Sequence, residues 1–335
     1  MTDSDRGSVL LTGGAGFVGA YITKLLVEEG YDVCVFDIVE PSDKSRYLLG
    51  DAISKVRYER GPIEDLSPLI ELVSSVAPRY IVHTASIMNP LLLMKQPMRG
   101  FRVNLEGTIN VLEAMRLIGG VERLVYFSSI GVLPTIQYEP IDAAHPIFLP
   151  REGFPTGVYG ASKAAGEAFC FAYLAAFGTE FRIIRPSAVY GFGMQWPMFV
   201  KPMVEGALAG EPVRFASGAR FPRDYTHAED IATLTAALLR APDSADRIFY
   251  GATGAPLVTA AEVADIVREL VPGADIEVAE GFTPEDELEL PYRGQMSIEP
   301  NRSQLGWSPK HDVRSGIADF IERQRGFLGA VDANV

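Results

Sequence analysis

The feature that most limits how this chain can fold is a glycine-spaced loop near its start, Gly13-x-x-Gly16-x-x-Gly19. The apolar segment Val9-Leu10-Leu11 precedes the loop, and helical patterning follows from about residue 17 to 29. In a strand–loop–helix unit of this kind, the first glycine permits a tight turn and the second lets the backbone approach a pyrophosphate. The third lets the helix pack close to the strand. The N–H groups at the helix N-terminus attract phosphate, so the loop predicts a dinucleotide site.

Short apolar segments and helical segments alternate through the first two thirds of the chain. Strands that alternate with helices indicate an α/β fold with a doubly wound parallel sheet of the Rossmann type. The predicted strands are 9–11, 32–36, 80–83, 123–127 and 181–185, and the predicted helices are about 17–29, 66–75, 103–118, 159–177 and 228–239.

The regular alternation weakens after Arg185-Pro186. Residues 187–222 are rich in Gly, Pro, Met and aromatic side chains, and the last hundred residues mix short elements with loops. This change predicts a smaller C-terminal substrate lobe, interleaved with the last strands of the sheet. We expect a cofactor-binding Rossmann domain of residues 1–186 with about 224–254, and a substrate-binding lobe of about 187–223 and 255–335.

The composition excludes several classes of function. A formal net charge of −13 argues against nucleic acid and anionic membrane surfaces as partners, because both attract basic patches. Cys34 and Cys170 lie in apolar stretches and are predicted to be free, buried thiols of a cytoplasmic protein. The polar, acidic start predicts no signal peptide, and no apolar run reaches the roughly 18 residues that a membrane span needs. The four histidines lack ligand spacing, so we predict no metal site.

An acidic residue, Asp37, follows the second predicted strand about twenty residues after the glycine loop. A carboxylate at this place accepts hydrogen bonds from the ribose hydroxyls and repels the 2′-phosphate of NADP. Ile38 and Val39 come next, where an NADP enzyme often has arginine. Lys44 and Arg46 lie further along and weaken the argument slightly, but the balance predicts NAD.

Tyr159 and Lys163 are four residues apart in a predicted helix, so their side chains project from one face. A tyrosine of pKa near 10 is a poor base at neutral pH. A nearby ammonium group, with the positive nicotinamide ring, would stabilise the phenolate and lower this pKa. Ser129 follows a predicted strand and is well placed to polarise a substrate oxygen. The three residues predict proton and hydride transfer at a carbon that carries oxygen.

These features resemble the extended short-chain dehydrogenase/reductase family, the NAD-dependent epimerase/dehydratase group. The resemblance covers nearly the whole chain, and further motifs in the family's order carry it. They are Ile81-Val82-His83-Thr84-Ala85, Asn104-Leu105-Glu106-Gly107-Thr108, Arg185-Pro186-Ser187-Ala188-Val189-Tyr190-Gly191, Arg223-Asp224-Tyr225-Thr226-His227-Ala228-Glu229-Asp230 and Leu305-Gly306-Trp307-Ser308-Pro309.

The resemblance implies NAD as cofactor, a small-molecule substrate and a homodimer. It implies that Tyr159 is the acid/base, that Lys163 holds the ribose and tunes Tyr159, and that Ser129 completes the catalytic set. His83 is expected to be a core residue at a strand end. The implied cofactor-binding residues are Gly13, Gly16, Phe17, Val18, Gly19, Asp37, Ile38, Ile63, Ala85, Asn104, Tyr159, Lys163 and Pro186. The implied substrate-binding residues are Met88, Ser129, Ile130, Tyr190, Arg223 and Arg293.

The chain departs from the family pattern at several places, among them Val132-Leu133-Pro134 in place of V-Y-G and Ala188 near the place of an asparagine. Pro62 stands where an aspartate commonly contacts the adenine amine, so that contact is expected to be lost or replaced. Ile130 and Gly131 stand where dehydratases carry an Asp-Glu pair that protonates the leaving hydroxyl, so dehydration is not expected. The loop 87–94 is more apolar than a sugar pocket usually needs. Arg223 and Arg293 match or lie near phosphate-binding positions, although either could be a surface salt-bridge partner.

The sequence is compatible with three functions. The first is an NAD-dependent epimerase of a sugar nucleotide, and the second is an NAD-dependent dehydrogenase of a sugar acid or of a more apolar hydroxy compound. The third is a cofactor sensor on the same fold, which the intact Ser129, Tyr159 and Lys163 argue against. The sequence favours an oxidoreductase or epimerase of a carbohydrate-derived secondary alcohol.

Overall fold

The computed structural model describes residues 6–149 and 156–332. In chain order its strands are β1 (Ser8–Thr12), β2 (Asp32–Asp37), β3 (Arg57–Arg60), β4 (Tyr80–His83), β5 (Arg123–Phe127), β6 (Phe181–Pro186), β7 (Ala188–Tyr190), β8 (Val213–Phe215), β9 (Pro222–Arg223), β10 (Tyr225–His227), β11 (Ile248–Gly251), β12 (Val258–Thr259) and β13 (Ile276–Val278).

The helices flank these strands and carry the longer apolar periodicities of the chain. In order they are α1 (Phe17–Glu28), α2 (Asp43–Leu49), α3 (Leu66–Val76), α4 (Pro90–Lys95), α5 (Pro97–Gly100), α6 (Gly107–Ile118), α7 (Gly157–Phe177), α8 (Val200–Ala209), α9 (Ala228–Leu239), α10 (Ala260–Leu270), α11 (Pro284–Glu289), α12 (Glu299–Leu305) and α13 (Val313–Asp332).

Seven strands form one central sheet in the order β11-β6-β5-β4-β1-β2-β3, and each pair is parallel. This confirms the predicted doubly wound Rossmann sheet. The central strands read as continuous apolar runs because helices cover both faces. In β1, Val9 and Leu11 enter the core beneath α1 and α9, whereas Leu10 enters the core beneath α3 and α6.

The strand order reverses between β1 and β4, and the crevice for a ligand lies at such a point. The glycine loop leaves the end of β1, and residues 84–89 leave the end of β4 beside it. Gly13 has φ +76°, and a Cβ there would lie 2.6 Å from the backbone nitrogen of Ala85. The close approach of these two segments therefore requires glycine at position 13.

The observed elements follow the predicted ones closely in the first half of the chain. One difference concerns the predicted helix 103–118, which begins as a π-helical turn over Phe101–Glu106 and becomes α-helical only from Gly107. Turns of this kind inside helices frequently occur at functional sites. Here the turn holds Asn104, which is fully buried.

The part of the chain after β6 builds three small two-stranded sheets, β7 with β10, β9 with β12 and β8 with β13. It also returns to the central sheet, where β11 pairs with β6 and forms the edge. The 20-residue helix α13 closes the C-terminal part and was not anticipated from the sequence.

Two further properties bear on the sequence predictions. Cys34 and Cys170 are both free and buried, as expected. In the described residues, no helix combines the length and the apolar character that crossing a bilayer requires.

Candidate active site

The glycine loop presents an uncapped helix end. Gly16 is the N-cap residue of α1, and in the described part of the chain no side chain caps this end, nor is there an acidic residue in the first turn. Phe17 and Val18, both half-buried, open the helix. A Cβ on Gly19 would lie 2.4 Å from the carbonyl oxygen of Gly13, so the tight loop depends on glycine there as well. Free N–H groups and the helix dipole at this end fit a pyrophosphate.

Asp37 ends β2 beside this loop. Its carboxylate accepts hydrogen bonds from the backbone N–H groups of Ala15, at 3.1 Å, and Val39, at 3.3 Å. Burial raises the pKa of Asp37, and these backbone hydrogen bonds oppose the increase. The side chain is therefore held at the mouth of the crevice, where a ribose would lie.

The two cations that weakened the argument for NAD are both engaged within the chain. Lys44 donates to Glu205, at 2.7 Å, and to Gln324. Arg46 donates to the Pro41 carbonyl, at 3.1 Å. Since both groups already have partners in the protein, the balance of charge beside Asp37 favours a ribose without a 2′-phosphate.

The end of β4 is fixed by buried polar contacts. The Thr12 hydroxyl lies 2.6 Å from His83 Nδ1, and His83 Nε2 lies 3.0 Å from the Thr108 hydroxyl. Burial, with the charge of Lys163 next, lowers the pKa of His83 to about 3, so the ring is neutral. Asn104 bonds to both backbone groups of Ile87, at 2.7 and 3.0 Å. His83 and Asn104 therefore shape the segment that follows β4, and their side chains are buried beneath it.

Other residues that the resemblance implied for the cofactor are spread around the same crevice. Ile38 is half exposed, and Ala85 and Pro186 are half-buried. Ile63 is buried at 4% exposure, and its carbonyl accepts a hydrogen bond from Asn110. Pro62, which replaces the usual aspartate, has its carbonyl bonded to the N–H of Asp65. Where the family's aspartate would contact the adenine, this chain therefore has apolar side chains and backbone groups.

Ser129, Tyr159 and Lys163 come together at the ends of β5 and α7. Ser129 lies just beyond β5 and its side chain hydrogen-bonds to that of Tyr159. The Ser129 oxygen also accepts from the N–H of Gly131, at 3.0 Å. Lys163 is 1% exposed, and its Nζ donates to the Phe127 carbonyl, at 2.7 Å. Ser129 and Tyr159 are half-buried, so they border the crevice, whereas the ammonium group lies behind them.

Burial affects the protonation of both Tyr159 and Lys163. Burial raises the pKa of Tyr159, and the hydrogen bond with Ser129 opposes the increase. Burial lowers the pKa of Lys163 to about 7, against opposing contributions from Cys170 and Glu167. Within the chain itself, Lys163 bonds to the Phe127 carbonyl and the pKa of Tyr159 is raised. The predicted lowering also depends on the positive nicotinamide ring, so it stays a prediction for the protein with NAD bound.

A buried ion pair that the sequence analysis missed lies directly beneath this set. Arg185 donates to both carboxylate oxygens of Glu167, at 2.9 and 2.7 Å, and to the Tyr250 hydroxyl, at 3.1 Å. Ser128 also donates to Glu167. The side chains of Arg185 and Glu167 are only 2% and 4% exposed. The position of Glu167, one turn after Lys163 on the same helix face, was the signal in the sequence.

Arg223 and Arg293 form a second cluster on the C-terminal side. Both donate to the same oxygen of Glu289, Arg223 at 3.2 Å. Both guanidinium groups lie over the ring of Phe221, at 4.7 and 5.4 Å from its centroid. Burial, with the charge of Arg223 next, lowers the pKa of Arg293. Paired guanidinium groups attract carboxylate or phosphate, and here they hold the Glu289 carboxylate, to which no sequence signal pointed.

The remaining residues implied for the substrate differ in their surroundings. Met88 is 52% exposed, whereas Ile130 is buried in a small apolar cluster with Met296 and Ile298. Tyr190 is fully buried, and its hydroxyl donates to the Val313 carbonyl beneath α13. Because Tyr190 belongs to the core, we exclude it from the candidate substrate site.

The structure also brings together two histidines that are far apart in sequence. His227, Glu229 and His311 have potential ligand atoms within 4.8 Å of one another. Each histidine already has partners, since His227 accepts from the Glu229 N–H and lies 3.2 Å from Asp319, and His311 lies 3.3 Å from Asp230. These contacts tie the start of α9 to α13, and we assign the cluster to packing.

Comparisons with known proteins agree with this geometry. The family model described as "NAD dependent epimerase/dehydratase family" matches residues 9–250. A Methanocaldococcus jannaschii protein, provisionally assigned as a UDP-glucose 4-epimerase, is 30% identical over 93% of this chain and 97% of its own length. The UDP-glucose 4-epimerase of Mycolicibacterium smegmatis is 27% identical over 93% of this chain and 97% of its length.

A solved structure extends the comparison to the cofactor. The crystal structure of the UDP-glucose 4-epimerase from Thermus thermophilus, in complex with NAD, is 29% identical, with a TM-score of 0.75. The alignment covers 95% of this chain and 99% of that one.

Proposed function

The chain belongs to the NAD-dependent epimerase/dehydratase family, and from that premise we propose that it is a sugar-nucleotide epimerase that keeps its cofactor through each turnover. It is an NAD-dependent enzyme of the extended short-chain dehydrogenase/reductase type that acts on a carbohydrate-derived secondary alcohol. The names of its relatives make a UDP-hexose the first substrate to test.

One observation carries the proposal: two hydroxyls face the crevice beside the glycine loop, and an arginine pair lies on the C-terminal side. Ser129 and Tyr159 are hydrogen-bonded to each other and half-buried. Arg223 and Arg293 offer two guanidinium forks that suit a diphosphate. A proton-transfer pair combined with an anion site fits a substrate with a reacting hydroxyl and a charged anchoring portion.

The proposed chemistry divides between the chain and the cofactor. NAD would be held by the glycine loop and Asp37, and it would supply the hydride acceptor and donor for the sugar carbon. Tyr159 takes the proton of the reacting hydroxyl, and Ser129 holds the same oxygen by a hydrogen bond. Lys163 stands behind Tyr159, where its ammonium group can hold the ribose and stabilise the phenolate once a ligand favours the charged forms. The arginine pair anchors the substrate while the sugar turns over to present its other face.

Residues after the catalytic serine argue against dehydration. Ile130 is buried and apolar, and Gly131 has no side chain, so neither can protonate a leaving hydroxyl. Epimerisation needs no such acid, because the hydroxyl stays on the sugar.

The direct test is conversion of UDP-glucose by the purified chain, with the product analysed by chromatography. We expect UDP-galactose to form without net accumulation of NADH at 340 nm. In D2O the epimer should carry no deuterium at the inverted carbon, because the hydride returns directly. Tyr159→Phe should reduce turnover by about a thousandfold while NAD still binds. Full activity of this variant, or deuterium at the inverted carbon, would contradict the mechanism.

A second candidate function rests on the apolar surface around α4. Met88, Leu91 and Met94 are 52%, 64% and 77% exposed. Such a surface suits a more apolar hydroxy compound, for which the chain would act as a one-way dehydrogenase. Steady NADH formation from secondary alcohols or sugar acids, with no conversion of UDP-sugars, would favour this alternative.

We also propose a homodimer formed through α6 and α7, which pack together at one side of the sheet. Large apolar side chains lie exposed on these helices and the turn before them. They are Phe101, Leu117, Ile118, Phe169, Phe171 and Phe177. An apolar face of this kind on a two-helix layer is typical of a protein interface.

Two further assignments complete the proposal. We assign residues 1–186 with about 224–254 to the NAD-binding domain, and about 187–223 and 255–335 to the substrate lobe, which contains the arginine pair. A cytoplasmic location is supported by the two free thiols, Cys34 and Cys170, because reducing compartments keep cysteines in this state.

A further inference from the structure

The arginine pair is shared by one carboxylate of the chain itself. Arg223 Nη2 lies 3.2 Å from Glu289 Oε2, and Arg293 Nη2 donates to that same oxygen. The cluster holds two positive charges and one negative charge against the ring of Phe221. Glu289 therefore stands where an anionic ligand of the two arginines would bind.

The arginines have more hydrogen-bonding capacity than Glu289 uses. A guanidinium group carries five N–H donors, and the carboxylate takes one from each arginine. Within the described chain, the buried Nε atoms of Arg223 and Arg293 and the hydroxyl of Tyr225 have no hydrogen-bond partner. Burial raises the pKa of Tyr225, the charges of Arg223 and Arg293 oppose this increase, and the resulting pKa is about 12. Buried donors left without partners are costly, so the cluster is built for an anion with more acceptor oxygens.

Glu289 is the partner that can move. It is the last residue of α11, a six-residue helix in which no residue is buried, and Leu288 beside it is 63% exposed. By contrast, the Arg293 side chain is 10% exposed, and the chain after it enters the core at Met296 and Ile298. The arginines are thus fixed, whereas the helix that carries Glu289 has little packing to lose.

We propose that Glu289 is a specificity-determining residue of the substrate site, because its carboxylate competes with the substrate's diphosphate group for Arg223 and Arg293. This inference rests on the proposed function. A diphosphate that reaches the arginines must displace Glu289, since two anions cannot share the same donors without repulsion. The competition weakens binding of every anion, and it favours ligands that carry enough charge to replace a carboxylate.

The test is calorimetric titration of the full chain, with NAD present, using UDP as the probe. Glu289→Gln removes the charge but keeps the shape and one acceptor oxygen. We expect the Kd for UDP to fall about tenfold, since a negative charge next to the phosphate site is removed. The matched control is Glu287→Gln, an exposed carboxylate on the same helix, which makes the same change in net charge and should leave the Kd within about twofold.

The outcomes separate this inference from the function on which it rests. If UDP binds Glu289→Gln as tightly as the original chain or more weakly, the inference is wrong, and Glu289 merely orients the arginines. If UDP binds neither the original chain nor Glu289→Gln, although both bind NAD, the sugar-nucleotide proposal and the inference both fail. Tighter binding in Glu289→Gln alone, with Glu287→Gln unchanged, supports the inference.

Discussion

Replacing the buried Glu167 with glutamine should destabilise the protein more than the same replacement of an exposed glutamate. Glu167 accepts two hydrogen bonds from Arg185 and one from Ser128, and both members of the ion pair are nearly inaccessible to water. Glutamine offers one acceptor oxygen in place of two and no charge. The buried Arg185 guanidinium then loses the opposite charge and one of the two acceptor oxygens at position 167.

Breaking one side of a buried ion pair costs several kcal/mol, because the other charge remains desolvated. Since glutamine keeps one acceptor and Tyr250 still accepts from Arg185, we expect a loss of about 3 kcal/mol in the free energy of unfolding. The assay is equilibrium urea unfolding followed by circular dichroism. The matched control is Glu269→Gln, whose partner Arg314 is also exposed, and its expected change is within about 0.5 kcal/mol.

A double variant makes the reasoning refutable. Adding Arg185→Met to Glu167→Gln removes the uncompensated charge, so the double variant should recover at least about 1 kcal/mol relative to Glu167→Gln alone. If Glu167→Gln costs no more than Glu269→Gln, or if the double variant is the less stable of the two, the cost of an unpaired buried charge does not govern this site.

Three other variants test the cofactor loop, the buried lysine and the dimer. Gly19→Ala should abolish NAD binding in a fluorescence titration, because the new Cβ would lie 2.4 Å from the carbonyl oxygen of Gly13. The control Gly329→Ala places its Cβ in open space on α13 and should bind NAD normally. Lys163 has a pKa of about 7 in the folded protein, below its unfolded value, so between about pH 7 and pH 10 the unfolded chain binds one proton more and stability should rise with pH. Lys163→Met should remove this part of the rise in the midpoint of thermal unfolding, and the same slope against pH in both proteins would refute the reasoning. If the proposed dimer forms through α6 and α7, Phe169→Glu should give a monomer in sedimentation velocity, whereas Leu328→Glu, similarly exposed on α13, should leave the dimer intact.

The local features of the fold could be predicted from the sequence because local residues determine them. Gly19 is required by contacts within the loop itself, and the buried parallel strands appear as continuous apolar runs. The motif containing Tyr159 and Lys163 likewise depends on helical spacing alone. The alternation of strands and helices predicted a parallel, doubly wound sheet, whereas the order of its strands came from the structure.

Features that depend on distant segments could not be predicted in the same way. Asn104, in the π-helical turn, bonds to the backbone of Ile87, and the contact between Arg223 and Glu289 joins segments 66 residues apart. The burial of Tyr190 in the core could not be foreseen, because a three-residue strand gives no clue to which side faces inward. Helix α13 was missed because its sequence is rich in charged residues and its apolar stripe is narrow.

The position of β11 at the edge of the sheet has a consequence for how the chain is made. Its pairing partner β6 is complete by Pro186, but β11 begins only at Ile248. At ordinary rates of synthesis the intervening segment takes roughly 3 to 12 seconds to appear. During that interval β6 is an open strand edge, and such edges pair with other chains. Aggregation can therefore compete with folding until β11 covers this edge. In a chain truncated before β11 the edge of β6 would stay exposed.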